Sequence, residues 1–378
     1  MLNDDCDQSA SALVSGAGHR RVCGPHHSFP RGPGYRLSSE PGTLESKALK
    51  WRTRGEHGMS GELKPPIIIF GNTRSGTTVV QKLIAGHPDV VAWYEPRNLW
   101  QYADPGRSHD DFDESDATDK VKRYIRRQFL RYQKRNGNRV VVEKTPVNVL
   151  RIPYVRAVFP EARYIYIVRS PFSFISSVEL KWQRPVRVRG LLWRFRSTPW
   201  TQLHHYVVKY ARQLVDKHIL RRKYLSVWGP RYQGLEEDLQ TEEMLTVVAR
   251  QWSIPSKKAG EDLSQFPRGA VLRLRYEDVV EDPVVHLEAI CAHIGLAATD
   301  EMRKMANELV KSDRQQKWRR LDPLDLVRIF PEIEGEMKRH GYEVPAELID
   351  AMDIADSAAP EAEESGWARP RPHPDGRA

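Results

Sequence analysis

Three cysteines in 378 residues, Cys6, Cys23 and Cys291, form neither a C-x-x-C pair nor a Cys/His ligand spacing, which argues against a disulfide framework and a zinc site. No apolar run approaches the roughly 20 residues that cross a bilayer. The N-terminus MLNDDCDQ is acidic where a secretory signal is basic and then apolar. A soluble, cytoplasmic protein with no transmembrane segment is therefore expected. Fixed-period repeats are absent, which argues against a solenoid or propeller. What is there is 40% hydrophobic side chains, enough for one large core or two ordinary ones. The 59 Lys and Arg exceed the 50 Asp and Glu by 9, a balance that favours anionic partners without saying which.

The chemistry is expected in the middle of the chain. Residues 1–63 are rich in Gly, Ser, Pro, His and charge without apolar periodicity, and read as a flexible, disordered leader. The C-terminal stretch 346–378, most clearly from Asp356 onward, reads as a disordered tail. Between them, residues 64–345 alternate short apolar runs with amphipathic stretches. Pro66 to Phe70, Val90 to Tyr94, Arg139 to Val142, Arg163 to Val168 and Val271 to Leu274 predict strands. Helical periodicity marks Thr77 to Ala85, Lys120 to Lys134, Val149 to Phe159, Phe172 to Trp182, Leu203 to Tyr224, Glu242 to Gln251, His286 to Ile294 and Glu301 to Lys311. Strands separated by helices imply parallel pairing. The fold class is α/β: a single domain with a P-loop-like, doubly wound central parallel sheet flanked by helices, whose ligands sit at the carboxyl ends of the strands.

Directly after the first strand stands GNTRSGTT, Gly71 to Thr78, leading into a helix. The spacing of Gly71 and Gly76 suits a loop whose backbone N–H groups converge on an anion at a helix N-terminus. A nucleotide triphosphatase needs Lys and then Ser or Thr after the second glycine, and here the residues are Thr77 and Thr78. Arg74 supplies the loop's positive charge, and no strand ends in the apolar run plus Asp that would hold magnesium. Tyr276-Glu277-Asp278 is the nearest acidic strand end, and it reads as a turn into an Asp282 N-cap and Pro283 at the first helical position. The loop fits a phosphate-like group without a metal. The fourth strand ends at Arg169 and runs into Ser170-Pro171, with Ser173 and Ser177 one helical turn apart beyond it. Taken singly, Arg169 and Ser177 have plainer readings as a surface arginine and a polar helix face. Their place at a strand's carboxyl end makes them a candidate second anion grip.

The segments PPIIIFG with RSGTT, HPDVVAWYEP, VVVEKTP, IVRSPFSFISS and LRLRYEDVVEDP, in this order, resemble sulfotransferases that use 3′-phosphoadenosine 5′-phosphosulfate. The likeness runs from Pro65 to Tyr342 and is to bacterial members related to the tyrosylprotein and heparan sulfate sulfotransferases. It implies that Arg74, Ser75, Gly76, Thr77 and Thr78 bind the 5′-phosphosulfate. Arg169 and Ser177, eight positions apart as in the family, would bind the 3′-phosphate. It places Lys317 on phosphate and Trp318 on adenine, against the plainer reading of a basic helix end with a half-buried Trp. Glu95 takes the position of the general base in related Golgi enzymes, with a strand-end salt bridge as its alternative. Lys144 would stabilise, with Arg74, the charge on the sulfuryl group and the bridging oxygen, its alternative being a surface pair with Glu143. Two departures separate the chain from cytosolic sulfotransferases: Arg74 replaces the lysine of the first loop, and Pro146 stands where they place a histidine base. The neighbours His204 and His205 point in different directions and make a poor substitute.

The implied partner is a hydroxyl-bearing acceptor, a glycan, lipid or natural product, rather than nucleic acid. Between Lys181 and Tyr210, Trp182, Trp193 and Trp200 stand among Arg184, Arg187, Arg189, Arg194 and Arg196. This pattern suits stacking on a ring and attraction of an anionic acceptor, and equally a peripheral membrane contact or plain core. The turn-rich segment Trp228 to Leu239 has no derived role. Two other readings stay open: an ATP-dependent P-loop phosphotransferase, and a non-catalytic binder of anionic polymers.

Overall fold

The computed structural model describes residues 62–182, 229–309 and 317–358. Five strands, β1 (Ile67–Phe70), β2 (Val90–Tyr94), β3 (Val140–Lys144), β4 (Arg163–Val168) and β5 (Val271–Arg275), form one parallel sheet in the order β2-β3-β1-β4-β5. Each coincides with an expected strand. β3 runs on through Glu143 and Lys144, which brings both into the sheet.

The helices are α1 (Thr77–Ala85), α2 (Arg97–Trp100), α3 (Asp119–Arg135), α4 (Ile152–Val158), α5 (Pro171–Trp182) and α6 (Leu235–Thr241). After them come α7 (Met244–Ser264), α8 (Tyr276–Glu281), α9 (Pro283–Ile294), α10 (Asp300–Leu309), α11 (Pro323–Arg339) and α12 (Ala346–Ala358). A parallel sheet must bury both faces, and β1 does so with no residue more than 2% exposed. Ile68, Phe70, Val141, Tyr164, Tyr166 and Val168 pack on one face against α3, α4, α5, α7 and α11. Ile67, Ile69, Val142, Ile165 and Ile167 pack on the other against α1 and α9. The alternation is the period-2 geometry of a strand read out on two helical layers. It makes the sheet doubly wound, as expected.

Three sequence expectations need correction. The helix expected to end at Gln251 runs on to Ser264, passing through Pro255. Proline costs a helix one hydrogen bond and a local clash, and here buried Val247, Val248, Trp252, Ala259 and Leu263 outweigh that cost. The helix α11 was not anticipated, although Asp322 caps it by accepting the Leu324 N–H at 2.9 Å and Pro323 opens it. The tail expected to be disordered from 346 begins with α12, which buries Leu348 in the main core and also covers Ala351. The expected helix Leu203 to Tyr224, His204 and His205, and the Arg/Trp stretch beyond Trp182 lie outside the described residues, as do 1–61 and 359–378.

The turn after Gly229 is anchored by charge. Asp110, 4% exposed, accepts from Arg231 Nη2 at 2.9 Å and from fully buried Arg151 at 3.3 Å. Burial works against the Asp110 anion, but Arg151 and the bonds from Arg231 outweigh it and bring its pKa to about 2. Asp110→Ala strands the Arg151 guanidinium in the core, and breaking a buried pair in this way costs roughly 3–5 kcal/mol. Urea unfolding checks this; a loss under about 1 kcal/mol, the size for an exposed pair, would contradict it.

Candidate active site

Sheet order lays out the candidate residues along one edge. β3 and β4 both pair with β1, and β2 pairs with β3, so the carboxyl ends read Glu95, Lys144, the Gly71 to Thr78 loop, Arg169. Neighbouring strands lie about 4.8 Å apart. The loop follows the strand at which the winding reverses, the place where open α/β sheets open a crevice for ligands.

Both loop glycines are dictated by close approach. A Cβ on Gly71 would lie 2.5 Å from the Ile167 carbonyl oxygen, and one on Gly76 would lie 2.1 Å from the Tyr276 ring. Gly76 adopts φ +88° and caps α1 at its N-terminus. The first-turn N–H groups of Thr77 and Thr78 are among those a helix leaves without internal partners. Ser75 is fully buried and its hydroxyl has no hydrogen-bond partner among the described residues. A buried hydroxyl in that state costs free energy unless a ligand satisfies it. Thr77 is buried, Thr78 exposed.

Arg74 is exposed, with φ +65°. Its Nε donates to Ser177 Oγ at 2.7 Å, and its carbonyl accepts from Arg169 Nη1 at 3.1 Å. The first loop and the proposed second grip therefore meet through Arg74. Arg169 is 7% exposed and stacks over the Tyr276 ring at 5.0 Å. Tyr276 lies against both Gly76 and Arg169, a contact the sequence does not signal, since nothing local marks a tyrosine after β5 as a neighbour of β1. Glu277 accepts the Ser170 N–H at 3.1 Å and the Tyr342 hydroxyl at 2.9 Å, tying the start of α5 to the C-terminal segment. Asp282 and Pro283 do stand at the cap and first position of α9, with the short helix α8 in place of the expected turn. Trp318, in the single turn Lys317–Arg320, sits 5.4 Å from the ring of Phe172 in the first turn of α5. Lys317 beside it is exposed.

At the other end of the row, Lys144 Nζ donates to Glu95 Oε1 at 2.7 Å and Arg97 Nη2 donates to Glu95 Oε2 at 2.9 Å. Lys144 is 3% exposed and Glu143 fully buried, which overturns the alternative of a Glu143–Lys144 surface pair. Glu95 holds φ +44°. A non-glycine residue in the left-handed region costs about 1–3 kcal/mol and persists where its surroundings over-determine it, most often at functional sites. Glu95, directly after β2, and Arg74, within the loop, are two of the three such residues described. Burial alone would raise the Glu95 pKa; Arg97 and Lys144 outweigh it and hold the carboxylate below its ordinary value.

Glu143 behaves in the opposite sense. Burial lifts its carboxyl to about 7 although the Thr145 hydroxyl donates to it at 2.5 Å. Its folded-state pKa lies above the ordinary 4.5, so its contribution to stability is complete below pH 4.5 and lost as pH rises through about 7. Glu143→Gln removes that loss, about 3 kcal/mol for a shift of this size. Urea unfolding at pH 5 and pH 8 reads it out, and parallel losses in wild type and variant would refute it.

Among the described residues no group of three or more His, Cys, Asp and Glu side chains could hold a metal ion, and no helix is long and apolar enough to cross a membrane. The sulfotransferase family model matches residues 65–227 and 207–301. Nodulation protein NoeE of Sinorhizobium fredii is 26% identical over 145 residues, a stretch covering 34% of this chain and 35% of that protein, so the chain spans about a third of that relative. Protein-tyrosine sulfotransferase 1 of Danio rerio is 23% identical over 297 residues, 74% of this chain and 72% of that one. The sulfotransferase domain from the curacin biosynthetic pathway superposes on 75% of this chain and 100% of its own with TM-score 0.47 and 18% identity. The family match takes in the row of strand ends from Glu95 to Arg169 as well as helix α8, whose Tyr276 lies against the loop, and the chain belongs to the sulfotransferase family.

Proposed function

We propose that this enzyme transfers a sulfuryl group from 3′-phosphoadenosine 5′-phosphosulfate to a hydroxyl of a carbohydrate, lipid or small natural product, without a metal. The observation that carries the reading is the linear order of the strand ends. A carboxylate, a buried lysine, an anion loop whose buried hydroxyl has no partner among the described residues, and an arginine stand in the sequence that in-line transfer between an acceptor and a doubly phosphorylated nucleotide requires. The donor brings a sulfuryl group bonded through oxygen to a phosphate. Ser75 Oγ and the N–H groups of Gly76, Thr77 and Thr78 bind the 5′ end, with Arg74 spanning to the 3′ end. Arg169 and Ser177 grip the 3′-phosphate, which distinguishes this nucleotide from ATP, while Lys317 and Trp318 close on phosphate and adenine.

In the transfer, Glu95 takes the acceptor's proton as the acceptor oxygen bonds to sulfur and the bond from sulfur to the phosphate oxygen breaks. Lys144 stabilises the charge that grows on that leaving oxygen, which departs as 3′-phosphoadenosine 5′-phosphate. In the resting enzyme Lys144 neutralises Glu95 instead. An arriving phosphosulfate competes for the ammonium, and the base is released as the donor seats. Tyr94, exposed beside Glu95, offers a ring face to an acceptor.

Calorimetric binding of 3′-phosphoadenosine 5′-phosphate in EDTA, with ATP as the control, tests the donor. Wild type is expected to prefer the 3′-phosphorylated nucleotide, and Arg169→Ala to weaken it roughly 10- to 150-fold, the size of a charge-assisted hydrogen bond. Equal binding of ATP, or binding only with magnesium, would replace this reading with a phosphotransferase.

A further inference from the structure

Helix α7 contains Pro255 with helix on both sides of it. Proline has no N–H, so the carbonyl four residues earlier, that of Gln251, has no donor at its ordinary place in the ladder, and the ring pushes it aside. That carbonyl accepts Asn72 Nδ2 at 2.7 Å. Asn72 is the second residue of the anion loop, and its Oδ1 takes the Thr73 N–H at 2.7 Å, so both ends of its amide are engaged. One residue further along α7, Trp252 Nε1 donates to the Arg169 carbonyl at 2.9 Å. Gln251 and Trp252 are 1% and 0% exposed. Two consecutive residues of one helix, one turn before its proline, thus hold the loop after β1 and the end of β4.

We infer that the Pro255 break is a positioning device for the sulfuryl donor: it diverts the Gln251 carbonyl out of α7 to anchor Asn72, and so sets the anion loop at a fixed distance from Arg169. The inference rests on the donor reading above. The loop needs such an anchor because Arg74 holds a left-handed conformation that unrestrained chain would leave. Its N–H groups bind an anion well only if they are aimed before it arrives. With an N–H at 255, the helix would reclaim the Gln251 carbonyl and Asn72 would lose its acceptor. Pro255 and Asn72 touch neither substrate nor reacting atoms in this scheme; they act through the loop.

The test is calorimetric binding of 3′-phosphoadenosine 5′-phosphate to the full chain as wild type, Asn72→Ala, Pro255→Ala and the double variant, with the thermal midpoint of each. Pro331→Ala is the control, a proline inside another helix, α11, with no loop side chain on the carbonyl it frees among the described residues. Each of the first two variants is expected to bind about tenfold more weakly, one hydrogen bond's worth, and the double variant no more weakly than either. Pro331→Ala is expected to bind as wild type does. Wild-type affinity in Pro255→Ala, or losses that multiply to about a hundredfold in the double variant, overturns the inference while leaving the donor reading intact. A wild type that does not bind the nucleotide overturns both. If Pro255→Ala does not fold, Asn72→Ala decides: unchanged affinity overturns the inference, and a tenfold loss at an unchanged midpoint upholds it.

Discussion

Glu95→Gln is expected to bind 3′-phosphoadenosine 5′-phosphate as wild type does and to transfer sulfuryl groups about 10²–10⁴-fold more slowly, the usual contribution of a positioned general base. Glutamine keeps the volume and one acceptor oxygen, so one of Arg97 and Lys144 retains its partner while the other faces the amide NH2, and the strained backbone keeps its packing. What it lacks is the capacity to take the acceptor's proton. This separates the base from its plainer reading as a strand-end salt bridge, because the structure does place Glu95 in a salt bridge and both readings are geometrically satisfied. If the bridge alone mattered, the variant would lose stability and keep its rate. The fold itself is insulated from the change, since Glu95 is about one-third exposed and lies at the sheet's edge. A variant that turns over at a wild-type rate would remove Glu95 from the chemistry, and acceptor deprotonation would have to be sought elsewhere.

The strand ends were legible in the sequence because each is signalled locally: a short apolar run followed at once by glycine, charge or proline. The loop from Gly71 to Thr78 is the clearest case, where the turn, its glycines and the following helix are all fixed by residues within ten positions. The contacts between strand ends were not legible, since they depend on pairing across the sheet. Lys144 and Glu95 are 49 residues apart, and only the β2–β3 register brings them to 2.7 Å. Arg74 was expected on the sulfuryl group; the structure has it donating to Ser177, 103 residues on, on the side of the second grip. Local rules also misled where tertiary packing was stronger. The apolar periodicity that ends at Gln251 belongs to a helix that continues through Pro255 to Ser264, and the Asp/Ala-rich tail after residue 345 hid a helix that buries Leu348 and Ala351. Asn72 illustrates both limits, for its partner, the Gln251 carbonyl, lies 179 residues away in a helix that runs beyond its expected end.

Lys144→Met is expected to cost about 10²–10³ in kcat, the loss seen when one group that stabilises developing charge is removed, and to shift the pH dependence in a direction that identifies its resting partner. As the proposed base Glu95 must be ionised, so kcat/KM is expected to fall as pH drops through the Glu95 pKa. In the free wild-type enzyme that pKa lies below the ordinary carboxylate value, because Arg97 and Lys144 together outweigh burial. Removing Lys144 leaves burial and Arg97 in opposition, and the acid limb of kcat/KM moves to higher pH. Lys144→Arg restores the charge and returns the limb towards its wild-type position, even where its bulkier fork recovers little of kcat. The limb in kcat behaves differently. In the proposed scheme the bound donor draws Lys144 to the phosphosulfate, so wild-type kcat is expected to report a Glu95 relieved of one cation, with its limb above that of kcat/KM. In Lys144→Met the two limbs converge, since there is no ammonium left for the donor to withdraw. Coincident limbs in the wild type would mean that Lys144 stays on Glu95 throughout turnover. The pair would then be a fixed strut of the β2 and β3 ends, and release of the base by the donor would have to be abandoned.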